Sequence, residues 1–79
     1  MVRNFIKETR IDNRLPAILG ERKMSIRELS KATGVTYTMI RDVYHGERQS
    51  IKFDVMEKIC KELDIQPGDI FVYVSEGDE

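Results

Sequence analysis

Residues 25–48, SIRELSKATGVTYTMIRDVYHGER, constrain this chain more than any other stretch. Ser25 and Glu28 stand three apart in the S-x-x-E pattern of a capping box, which marks a helix start. Leu29 and Ala32 supply the apolar side of that helix. Gly34 follows where the chain must turn sharply, because glycine takes positive φ without steric cost. Thr36 suits the N-cap of a second helix, and Ile40 and Val43 give that helix an i, i+3 apolar stripe. Two helices joined by a short glycine-containing turn make a helix-turn-helix, whose second helix can lie in a DNA major groove.

The rest of the chain reads as further short elements. Residues 2–6 and 71–75 (FVYVS) are strand candidates by β-branched and aromatic content. Asp12 or Asn13 can cap a first helix running to about Arg22, with Leu15, Ile18 and Leu19 buried. Pro16 is tolerable there because it falls in the first turn, where N–H groups lack intrahelical partners. The next helices are expected over about 26–33 and 37–44, the last stopped by Gly46. After a polar loop over 47–52, Val55, Met56, Ile59, Cys60 and Leu63 recur at helical spacing over 53–63. Lys52 is a chemically poor N-cap for that helix. Residues 67–70 look like one helical turn, and 76–79 like a frayed acidic tail. The two strand candidates would pair antiparallel and tie the ends together. A lone ribbon is marginal in water, so it must pack on the helices or pair with a second subunit.

Composition narrows the possible functions. Seventy-nine residues suit one small domain, read as 1–79 with a helical core over about 12–70, and leave no room for a separate effector-binding domain. A single cysteine, Cys60, excludes an internal disulfide and suits a reducing cytoplasm. The apolar runs are too short to span a membrane. His45 is the only histidine, so no His-based metal cluster or catalytic triad can be assembled. The five glycines are isolated, so no phosphate-cradling loop is present, and the carboxylates are dispersed. Cys60 and Met24, Met39 and Met56 read as packing residues. An enzyme, a cofactor and a small-molecule ligand are therefore not expected.

The net charge of −1 hides an asymmetry. Residues 1–48 carry ten Lys/Arg and six Asp/Glu, a balance of +4; residues 49–79 carry three Lys and eight Asp/Glu, a balance of −5. Such a dipole would orient the chain on a polyanion, though a charged surface can also fluctuate this way by chance.

NRLPAILGERKMS, RELSKATGVTYTMIRDVYHGER and FDVMEKICKELDIQPGDIF, taken in order, resemble the Cro/C1-type, or Xre-like, family of bacterial and phage helix-turn-helix regulators. The resemblance covers roughly residues 12–71. It implies an all-α, five-helix lambda-repressor-like domain, with room for the small terminal β-ribbon. It also implies sequence-specific binding of double-stranded DNA by a homodimer on an inverted-repeat operator, most simply as a repressor.

By that resemblance Tyr37, Thr38, Arg41 and Asp42 face the bases, and Arg27, Lys31, Thr36, His45 and Arg48 face the backbone. Arg41 has the fork that pairs with guanine O6 and N7, and equally suits a phosphate or open solvent. Asp42 can accept from cytosine N4 or instead orient Arg41. Arg22 and Lys23 are secondary candidates. Two positions depart from the family pattern: Ile26 stands where relatives often have Gln, and Thr33 where an apolar residue is usual. With the overall acidity and Asp42, Ile26 leaves a rival open, an antitoxin-like or antirepressor protein-interaction module with little sequence-specific DNA binding.

Overall fold

A computed structural model describes residues 3–78. Its elements are β1 (Ile11–Asn13), α1 (Leu15–Arg22), α2 (Ile26–Thr33), α3 (Tyr37–Tyr44), α4 (Phe53–Leu63), α5 (Pro67–Ile70) and β2 (Phe71–Tyr73), then a 3₁₀ turn at Glu76–Asp78. That turn lies within the acidic tail expected over 76–79, of which Glu79 is outside the described residues.

Local chemistry accounts for most helix boundaries. The capping box of α2 is complete: Glu28 N–H donates to Ser25 Oγ at 3.0 Å and Ser25 N–H to Glu28 Oε1 at 2.8 Å. Gly34 closes α2 in the left-handed region at φ +79°, its N–H on the Ser30 carbonyl. Thr36 caps α3 by accepting from Met39 N–H at 3.3 Å. Lys52 precedes α4 without a side-chain capping bond, since an ammonium has no acceptor to offer. Asp54, in the first turn, instead accepts from Val55 N–H at 2.8 Å and complements the positive helix end. Asn13 Oδ1 receives the Leu15 N–H at 3.1 Å at the start of α1.

The core is one cluster drawn from every helix. Leu15, Leu19, Leu29, Ile40, Ile59, Leu63 and Ile70 are almost fully buried, each contributing about 1.5–3 kcal/mol of apolar burial. α2 packs on both α3 and α4, and α1 on α3. Ala32 is exposed, contrary to expectation; Ile26, Leu29 and Thr33, one turn apart, turn inward instead.

The ribbon corrects the sequence reading. β2 pairs antiparallel with β1, in the register Ile11↔Tyr73, Asp12↔Val72, Asn13↔Phe71, and not with residues 2–6. Of that first strand candidate, Val2 lies outside the described residues. Residues 4–6 run back along the other side of β1 through a single bridge, Phe5↔Asp12, after a turn in which Glu8 has φ +61°. Ile6 N–H donates to the Ile11 carbonyl and Asn13 N–H to the Asn4 carbonyl, at 2.9 and 2.7 Å. The asparagine and aspartate of IDN have low strand propensity, which hides β1 from a composition reading. They belong there because their side chains are used: buried Asp12 accepts from Asn4 N–H at 3.0 Å, and buried Asn13 reaches α3.

Candidate nucleic-acid interface

The turn between α2 and α3 is fixed by side chains that bond to the backbone. Ser30 Oγ donates to the Val35 carbonyl at 2.6 Å. Thr33 Oγ1 donates to the Leu29 carbonyl at 2.8 Å and accepts from Val35 N–H at 3.2 Å. The threonine that departs from the family pattern thus locks the turn through its hydroxyl, a service an apolar residue could not give. Ile26 is half-buried against the core, so it packs where a glutamine would reach outward.

With Ile40 and Val43 buried beneath it, α3 presents its other side to solvent. Tyr37 is 41 % exposed, and Thr38, Arg41 and His45 are exposed as well. Two groupings organise this face. The Arg27 guanidinium of α2 lies over the Tyr37 ring at 5.3 Å, a cation–π contact that joins the two helices. Arg41 Nη2 and Nε donate to Asp42 Oδ1 at 3.1 and 3.3 Å, while Arg48 Nε lies 3.8 Å from Asp42 Oδ2. Asp42 thus stands between two arginines on this face, one on each carboxylate oxygen.

The remaining candidates are placed separately. Lys31 lies in the last turn of α2 and is exposed. Thr36 stays at the α3 N-terminus with its hydroxyl engaged as the cap. His45 ends the helix with its ring edge-on to Tyr44 at 5.1 Å. Of the secondary candidates, Arg22 and Lys23 at the end of α1 are both exposed.

Asn13 matters to this face and escaped the sequence reading except as a helix cap. It is 1 % exposed, and its Nδ2 donates to the Val43 carbonyl at 2.7 Å and to the Tyr44 carbonyl at 3.2 Å. With Oδ1 on Leu15 N–H, one side chain bolts the last turn of α3 to the start of α1. Gly46, at φ +70°, lets the chain leave α3 against residues 5 and 6: a Cβ there would meet the Phe5 carbonyl oxygen at 3.3 Å. Lys7 N–H donates to the Gly46 carbonyl at 2.9 Å, and Gln49 Nε2 to the Lys7 carbonyl at 3.1 Å.

Known proteins resemble this chain in sequence and in fold. The Cro/C1-type HTH DNA-binding domain model matches residues 14–76, most of the chain. The chain belongs to that family. An uncharacterized HTH-type transcriptional regulator of Bacillus subtilis (strain 168), YozG, is 39 % identical over 64 residues, 81 % of this chain and 76 % of that protein. The crystal structure of the transcriptional regulator VanUg superposes with a TM-score of 0.68 at 29 % identity, covering 85 % of this chain and 88 % of the other. This Cro/C1-type chain is accordingly a transcriptional regulator with a helix-turn-helix DNA-binding domain.

Two further observations concern the described residues. No group of three or more His, Cys, Asp or Glu is placed to hold a metal ion among them, and no helix is long and apolar enough to cross a membrane.

Proposed function

We propose that this regulator reads an inverted-repeat operator as a homodimer and represses by occluding a promoter. The observation that carries the reading is the exposed face of α3 with Arg41 and Arg48 drawn together by Asp42. A planar guanidinium held in advance loses less side-chain freedom on meeting guanine, and each good bidentate pair discriminates by about 1–3 kcal/mol. Tyr37, Thr38 and Asp42, the last accepting from cytosine N4 or orienting Arg41, would complete the base-reading set. Arg27, Lys31, Thr36, His45 and Arg48 would contact phosphates, fixing register without reading sequence.

Selection from a random double-stranded library at physiological salt tests the reading. The expected outcome is an enriched inverted repeat with half-sites about 10 base pairs apart, centre to centre, or a multiple of that. No enrichment, with binding only at low salt, would favour the protein-interaction rival. Two variants assign the face. Arg41→Ala is expected to relax base preference at one position by about 1–3 kcal/mol, and Lys31→Ala to weaken all sequences alike and lower the salt slope by about one. Identical behaviour of the two in binding titrations would refute the assignment.

A further inference from the structure

Phe53, the first residue of α4, is 91 % exposed, more than Tyr37 or Tyr73. It opens a groove along α4 whose apolar members include the half-buried Met56, Cys60 and Ile65, and whose charged members include Glu57 and Lys61. None of these six belongs to the proposed DNA contacts. The opposite side of α4, Val55, Ile59 and Leu63, is committed to the core. The groove side is thus an apolar helix face left uncovered within one copy.

We infer that this face is the seat of a second copy of the chain, with the two α4 helices packed antiparallel across a two-fold axis. The inference rests on the homodimer reading above and names its surface. A two-fold contact must be self-complementary, each residue meeting the one its own symmetry mate meets in return. An axis crossing α4 beside Ile59 meets that condition along the sequence. It brings Phe53 of one copy against Ile65 of the other, and Glu57 against Lys61, twice each. Both apolar ends are covered, and Glu57 and Lys61 pair with opposite sign, twice; the third charged residue of the groove, Asp64, comes level with Asp54 of the other copy. A phenylalanine buries roughly 150–250 Å², so the two Phe53 rings alone supply a substantial part of the roughly 1,000 Å² expected of a biological interface.

Sedimentation equilibrium of the full chain, free and on an inverted-repeat duplex, tests this. Phe53→Glu is expected to raise the dimer dissociation constant roughly tenfold or more, as for an aromatic anchor replaced by a buried unpaired charge. At concentrations low enough for both to be monomeric its melting curve should match the wild type, since the side chain is exposed within one copy. Glu57→Lys alone should weaken the dimer by placing like charges together, and Glu57→Lys combined with Lys61→Glu should restore it. A dimer unmoved by Phe53→Glu and by Glu57→Lys would overturn this surface while leaving the homodimeric regulator intact. A wild-type chain monomeric in solution, binding the two half-sites independently, would overturn the homodimer itself and this surface with it.

Discussion

Asn13 shows how much one side chain can decide here. Its amide satisfies two carbonyls at the end of α3 and one N–H at the start of α1, the bonds to Val43 and Leu15 being buried. Asn13→Ala leaves those groups unpaired, and the expected loss is about 1–3 kcal/mol of stability, read by chemical denaturation. DNA affinity should fall at temperatures where the variant is still folded, because the last turn of α3 is no longer anchored. Nothing local in the sequence announces this role. Asn13 and Val43 are thirty residues apart, and a buried asparagine looks like any cap or turn residue until its distant partner is known. The pairing of Arg41 with Asp42 was easier to foresee, being between neighbours, although only the structure brings Arg48 to the same carboxylate.

At the scale of elements, the helices were legible because their signals are local. The S-x-x-E box, Gly34 and Thr36 stand where the structure uses them. The ribbon was legible in half: its second strand lies within 71–75 as expected, but strand pairing depends on partners far along the chain, and β-rich composition at residues 2–6 pointed to the wrong first strand. Ala32 was assigned to the core by its apolar type, whereas helix geometry turns it outward and gives the place to Thr33. The capping box also carries a pH dependence. Bonds from the backbone N–H of Ser25, and then from its side chain, hold the Glu28 carboxyl below its usual value. A lowered folded-state pKa means the stabilisation is present above the ordinary carboxylate range, near pH 4.3, and is lost as pH falls through the lower folded value. Glu28→Gln, which can still accept from Ser25 but carries no charge, should be less stable than the wild type at pH 7, converge with it in acid and so show a shallower acid limb in thermal melts. Equal acid limbs would assign the slope to other carboxylates.

For the whole molecule, size and charge set the terms of binding. The described chain measures 38 × 24 × 19 Å, and on the proposed inverted repeat each copy would take one half-site. The positive half carries α2 and α3 while the acidic half carries α4 and β2. Attraction to phosphate should therefore be strong only in one orientation. Raising salt from 50 to 200 mM is expected to weaken operator binding by orders of magnitude, with a log–log slope near −0.9 per phosphate neutralised. Titrations at several salt concentrations give that slope, and a flat dependence would contradict a phosphate-contacting face. Cys60 should stay a protonated thiol at neutral pH, since burial and then the Asp69 carboxylate push its pKa up. Alkylation slower than that of a free cysteine would register this.

The ribbon joins Ile11 to Tyr73, and its consequence is one of timing. Closing a loop of some sixty residues costs roughly 3–4 kcal/mol in chain entropy before any strand contact compensates. The turn between α2 and α3 closes over a handful of residues and costs only about 1 kcal/mol by the same scaling. The helix-turn-helix can therefore take shape early, yet its last helix is set at its final angle only when β1 and β2 meet and carry Asn13 into place. Distant contacts govern folding rate. The part of the chain that faces DNA is thus built from quick local pieces whose alignment waits on the slowest pairing in the molecule.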